Sequence, residues 1–194
     1  MATDTLVAEL VYTSLSVPPE QYKDVYRTTL ETILLAQPGL KSAMGGVITT
    51  GTERDTAISL VIWKSVDAHV AFISGPAAVP FFAASKPLMS GPPSVEHYRI
   101  SGLQTQAVES RYSRLLKASG DEDKEQFAKL REKHVEAEGA QMAVMSDCME
   151  DASVRTLILF SNSDKFQETV DALDGNMGIK SITIEWYSRG VKDE

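Results

Sequence analysis

Several strand-like stretches in this chain are apolar on both faces. Leu6, Ala8 and Leu10 alternate with Val7 and Val11; Ile58, Leu60 and Ile62 alternate with Val61 and Trp63; Ile182, Ile184 and Trp186 run into Tyr187. A half-wet strand would show polar residues on every second position, so strands of this kind need cover on both sides. The order in which they occur narrows the answer further. Leu6–Leu15 reads as a strand, Pro18 and Pro19 open a helix to about Ala36, and Gln37-Pro38-Gly39 stops it. Leu40–Thr49 and Ile58–Trp63 form a hairpin across the polar link Thr50–Thr56. Ser65 caps a helix through Ile73, Pro76–Leu88 is a helical segment, and Ser94–Ser101 is a fourth strand. This β-α-β-β-α-β order is a ferredoxin-like unit.

The order then repeats. A strand lies within Leu103–Lys117, a helix at Asp121–Glu138, strands at Ala140–Met145 and Val154–Phe160, a helix at Ser161–Leu173 and a strand at Ile179–Tyr187. Phe160 takes the place of Trp63, and Phe166 or Thr169 falls near the place of His69. One such unit covers a single sheet face with its helices and leaves the other bare, which is unstable in water. Two units can close their bare faces on each other. The expected fold is therefore α+β: two fused ferredoxin-like halves, residues 1–102 and 103–194, forming one barrel-like unit.

Composition excludes some partners. A net charge of −8 with no basic run disfavours nucleic acid and anionic membrane, since both need clustered Lys and Arg. Cys148 is the single cysteine, so no internal disulfide and no cysteine-based zinc site is expected. The N-terminus lacks the basic start and apolar core of a signal peptide, and no apolar run approaches the ~20 residues of a membrane span. A cytoplasmic location is the expectation.

The run Ile58–Phe82, ISLVIWKSVDAHVAFISGPAAVPFF, carries most of the functional information. A strand ends in Trp63, a Ser-initiated helix carries His69 and Phe72, and Ser74-Gly75-Pro76 breaks it. This pattern resembles the antibiotic-biosynthesis-monooxygenase (ABM) group of the dimeric α/β-barrel superfamily. The resemblance implies the fused-barrel fold and, in some relatives, cofactor-independent oxygenation of an electron-rich ring. In heme-degrading relatives the Trp lines the ligand cavity and a later His binds metal; Ile73 holds that position here, which disfavours heme degradation. The second half lacks both the Trp and the His, so one site is expected, in the first half.

Candidate residues follow from pattern and chemistry. In the fourth strand Val95, His97 and Arg99 share one face, and Glu96, Tyr98 and Ile100 the other. One face is expected to look into a cavity inside the barrel, where His97 or Tyr98 would act as general acid or base. Trp63 would hold a ring plane, with His69, Tyr12, Phe72 and Phe82 as further substrate contacts. Glu9 and Glu185 are carboxylates in apolar strands; each either faces a cavity or pairs with an arginine such as Arg99 or Arg155. His134 reads as a structural residue. The three histidines show no metal-ligand spacing, and Gly45-Gly46 and Gly175 form no nucleotide-binding motif, so neither metal nor cofactor is expected.

The expected function is a small-molecule tailoring enzyme of aromatic or polyketide metabolism, an ABM-like monooxygenase acting on an apolar substrate. Cyclisation, isomerisation or dehydration in the same cavity is the alternative, and a non-catalytic ligand-binding barrel the third. The chain can still pair with a second copy as a homodimer.

Overall fold

The structure, a computed structural model, describes residues 5–50, 56–101, 109–119, 129, 142–162 and 180–192. The expected helices at 121–138 and 161–173 fall almost wholly outside these residues, as do His134, Phe166 and Thr169. Among the described residues there are eight strands: β1 (Thr5–Thr13), β2 (Leu40–Ile48), β3 (Ala57–Trp63), β4 (Ser94–Ser101), β5 (Tyr112–Ser119), β6 (Met142–Asp147), β7 (Val154–Ser161) and β8 (Lys180–Val191). They form one antiparallel sheet in the order β4-β1-β3-β2-β8-β5-β7-β6. Its two edges meet: Tyr98 on β4 bridges Cys148 just after β6, Met149 N donates to His97 O at 2.8 Å, and Ser146 Oγ donates to Arg99 O at 2.7 Å. The result is a nearly closed barrel from two fused ferredoxin-like halves, the expected α+β fold.

The described helices lie on the first half. Residues 19–35 form one helical run in three pieces: α1 (Pro19–Val25), a π-helical turn (Tyr26–Leu30) and α2 (Glu31–Leu35). Pro19 at the first position suits a helix start, where its missing N–H costs nothing. α3 (Val66–Ile73) begins at Ser65, whose Oγ accepts from Ala68 N at 3.2 Å. α4 (Ala78–Ser85) continues into a 3-10 turn, Lys86–Leu88. No single described helix is long and apolar enough to cross a membrane.

Strand alternation sorts the apolar residues onto two faces. Ala8, Leu10, Met44, Ile58, Leu60, Ile62, Tyr98 and Ile100 point into the barrel, where they meet Leu115, Ile158, Phe160, Ile182, Ile184 and Trp186 of the second half. Val7, Ala43, Val61 and Trp63 point outward to α2, α3 and α4. The second half also anchors the first helical run: Arg27 donates through Nε and Nη2 to Tyr187 O, at 3.0 and 2.6 Å, and Ser188 Oγ donates to Glu31 Oε2 at 2.6 Å. Gly45 has a packing role, not a nucleotide-binding one. A Cβ there would come within 2.5 Å of the Tyr26 ring, so glycine lets the π-helical turn lie flat on β2.

Candidate active site

Among the described residues, the barrel interior beside Tyr98 holds only a small void. The void beside Tyr98, Leu60, Ile158 and Phe160 is about 20 Å³, room for about one water. This differs from the expected barrel cavity because Phe160 and Trp186, brought in from the second half, fill the space; Trp186 Nε1 is satisfied by Ser113 Oγ at 2.6 Å. The large cavity lies on the opposite face of the same sheet, between β1, β3 and the helices. Its volume is about 280 Å³. Phe72, Phe81 and Phe82, Leu30 and Leu34, and Tyr22 and Tyr26 are among the residues that line it. Burial raises the pKa of Tyr22, offset in part by hydrogen bonds with Thr13 and Ser59, and burial raises Tyr26 further. Both therefore stay neutral across the working range of most proteins.

Glu9 and His69, both in the cavity lining, are in contact with each other. Register places Glu9 there. Glu9 on β1 is the direct cross-strand partner of His97 on β4, and Val7, one step along the same face, faces Trp63 on β3. The chain then leaves β3 at Trp63, and the capped helix α3 folds back so that His69 and Phe72 are its buried residues. Trp63 Nε1 donates to Glu9 Oε2 at 2.8 Å, and His69 Nε2 lies 3.4 Å from Glu9 Oε1. The His69 and His97 rings are 4.8 Å apart, centre to centre.

His97 is held from the second half. Its backbone N–H donates to Glu150 Oε2 at 3.0 Å, and its Nδ1 lies 2.5 Å from Glu150 Oε1. Cys148 Sγ sits 3.1 Å from the same carboxylate. Partial burial would raise the Glu150 carboxyl, but hydrogen bonds from the His97 backbone, the His97 ring and Cys148 outweigh it and hold it down at about 2. An ionised carboxylate only accepts, so Nδ1 of His97 carries the proton. Its Nε2 is buried and has no hydrogen-bond partner among the described residues.

The sequence candidates divide between the two faces. His69, Phe72 and Phe82 line the cavity; Glu9, discussed from sequence only as one of two carboxylates, lines it as well. His97 is not among the residues that line the cavity; its ring lies 4.8 Å from that of His69. Trp63 is fully buried and does not line the cavity; it stacks on Phe72 at 5.4 Å and orients Glu9. Ile73 lies in the cavity lining and is partly exposed. Tyr98 turns into the barrel, where its hydroxyl donates to Glu96 Oε2 at 2.9 Å and accepts from Thr156 Oγ1 at 2.8 Å. Burial raises its pKa strongly, with the Glu96 charge adding to it, so it is a poor base. Tyr12 packs against the barrel core, away from the cavity, with Lys117 Nζ 5.3 Å from its ring. Glu185 pairs with Arg111 at 3.2 Å on the surface rather than with Arg99 or Arg155. Sequence reasoning missed Glu150, because only closure of the barrel brings it to His97. Nothing in the sequence marks Tyr22 and Tyr26 as cavity residues; the π-helical turn that carries Tyr26 has no clear sequence signature.

No protein-family profile and no curated protein matches the chain. Solved structures do. A proposed monooxygenase from Fusobacterium nucleatum is similar over 99% of this chain and 96% of its own, with TM-score 0.70 and 12% identity. A proposed monooxygenase from Lactobacillus acidophilus is similar over 97% of each chain, with TM-score 0.65 and 12% identity. An anthrone oxidase-like protein is similar over 100% of this chain and 95% of its own, with TM-score 0.67 and 10% identity. Identities this low establish the shape of the backbone and leave the chemistry to the side chains. The chain thus has the fold that its sequence pattern resembles: a dimeric α/β-barrel closed within one polypeptide.

Proposed function

We propose that the protein is a small-molecule tailoring enzyme, a monooxygenase of the cofactor-independent kind acting on an aromatic or polyketide-like substrate held in the helix-side cavity. One observation carries this reading: a mainly apolar cavity of about 280 Å³ has a carboxylate and an imidazole in contact in its lining, Glu9 and His69, with the His97 ring 4.8 Å from that of His69. That volume, lined by aromatic rings, suits a flat substrate of a few fused rings. The monooxygenase descriptions of the structures with the same fold point the same way.

In this reading His69 takes a proton from an acidic ring carbon or phenol, and Glu9 stabilises the imidazolium that forms. His97 stands next in line to relay the proton. Phe72 and Phe82 hold the ring plane, and Trp63 keeps the Glu9 carboxylate in place. The deprotonated substrate reduces molecular oxygen: a ring CH2 becomes C=O, with one oxygen atom in the product and the other leaving as water. The protein supplies a base, a dry cavity and orientation.

The test is turnover of an anthrone by the purified protein, with and without oxygen. The reading expects oxygen uptake equal to anthrone consumed, and a fall of about 10²-fold or more for His69→Gln. Turnover without oxygen uptake would replace the oxygenase with an isomerase or cyclase in the same cavity. Binding with no turnover of any aromatic substrate would leave a ligand-binding barrel.

A further inference from the structure

We infer that Glu9, His69 and His97 form a binding site for one divalent transition-metal ion. One ligand atom from each residue lies within 4.8 Å of the other two. Two imidazoles and a carboxylate are the donor set that Zn²⁺ and Fe²⁺ take in three-ligand sites with an open position. The separation of His69 Nε2 and Glu9 Oε1, 3.4 Å, suits two neighbouring ligands of a tetrahedral ion bound at about 2.1 Å. Small side-chain rotations would bring in the third.

The surroundings resemble those of a built site. Each of two ligands has its other polar atom fixed by a neighbour: Glu9 Oε2 accepts from Trp63 Nε1, and His97 Nδ1 faces the Glu150 carboxylate. Such outer partners orient ligands and raise the basicity of a histidine. The remaining His97 nitrogen, Nε2, is buried without a hydrogen-bond partner among the described residues. A buried lone pair with nothing to accept is costly in a metal-free protein and is what a cation would satisfy. Glu9 and His69 also line the cavity, so an ion held here keeps a coordination position facing it. That position would take water or an oxygen donor of a cavity ligand, such as a phenolate or enolate.

The site goes beyond the acid–base reading and competes with it. A metal bound at His69 Nε2 leaves the ring proton on Nδ1, so neither nitrogen of His69 can accept a proton in the loaded protein, whereas the metal-free protein keeps that base.

The experiment is a Co²⁺ titration of chelator-stripped, full-length protein, followed by visible absorption and then by displacement with Zn²⁺. We expect one Co²⁺ per chain, with the absorption of a four- or five-coordinate ion, and a rise in thermal midpoint on adding Zn²⁺. His69→Gln and His97→Gln should each weaken binding by about 100-fold or more, and Glu150→Gln, on a half-exposed side chain, by about 10- to 100-fold. The thermal shift and the Glu150 variant keep the test sharp if a buried histidine variant fails to fold. No saturable binding up to about 1 mM Co²⁺ would overturn the site, as would an unchanged spectrum and affinity in both histidine variants. No substrate enters this measurement. The acid–base reading stands or falls separately, on turnover by the stripped protein.

Discussion

The two faces of the first-half sheet are built from the same strands and do opposite things. The barrel face is filled: Leu10, Leu60, Ile62 and Tyr98 meet Phe160 and Trp186, leaving about 20 Å³. The helix face is open: the helical run 19–35, α3 and α4 stand off the sheet around about 280 Å³. Neighbouring residues on β4 show the division most simply. His97 faces the histidine–carboxylate cluster, and Tyr98, one residue on, is locked into the barrel by Glu96 and Thr156. The lesson is that a strand apolar on both faces says nothing about which face is full. Filling depends on the side chains the partner half contributes.

The largest expected effect falls on the barrel. Trp186→Ala should cost about 3–5 kcal/mol in denaturant unfolding, since a fully packed site cannot collapse around the lost ring. A cost below about 1 kcal/mol would mean the barrel is looser than described. On the other face the largest effect is on rate. His69→Gln should cut turnover by about 10²- to 10⁴-fold with little loss of stability, measured by steady-state kinetics beside a thermal melt.

The adjacent pair on β4 sharpens the contrast. Tyr98→Phe leaves Thr156 and Glu96 short of a partner and should cost about 1–2 kcal/mol of stability, with turnover unchanged. His97→Gln should slow turnover by about tenfold or more. The reverse pattern would move the chemistry into the barrel.

Alkaline pH probes both faces together. Tyr98 in the barrel, and Tyr22, Tyr26 and Tyr187 on the helix side, all have pKa values raised by burial. A phenol whose folded pKa is raised contributes stability that is complete below its unfolded pKa and is lost as pH rises toward the folded value. Stability should therefore decline above about pH 10, and the buried phenols should ionise only as the protein unfolds. The smallest effect belongs to Phe82, half-exposed at the cavity mouth. Phe82→Ala should change stability by about 0.5 kcal/mol or less and appear mainly as a higher KM.

Much of the fold was legible because its signals are local. Ser65 marks the start of α3, Pro19 that of α1, and alternation along VEHYRI sets His97 and Tyr98 on opposite faces. The run from Trp63 to Phe82 also carries His69, Phe72 and Phe82, which line the helix-side cavity. What was not legible depends on pairing across the chain. Glu9 meets His97 through the β1–β4 register, His69 reaches both only after α3 folds back, and Glu150 arrives from the second half at the barrel seam. Three residues at positions 9, 69 and 97 have no spacing that suggests a metal, yet the fold makes them neighbours. Trp63 shows the same limit. Its position at the strand end was clear, but its work on Glu9 depends on a diagonal contact between strands.

The most direct test of the central claim is a crystal structure of the protein with a bound anthrone. The account predicts the rings between Phe72 and Phe82, with a reactive carbon or hydroxyl within hydrogen-bonding reach of His69. A ligand bound inside the barrel beside Tyr98, with the helix-side cavity empty, would contradict it.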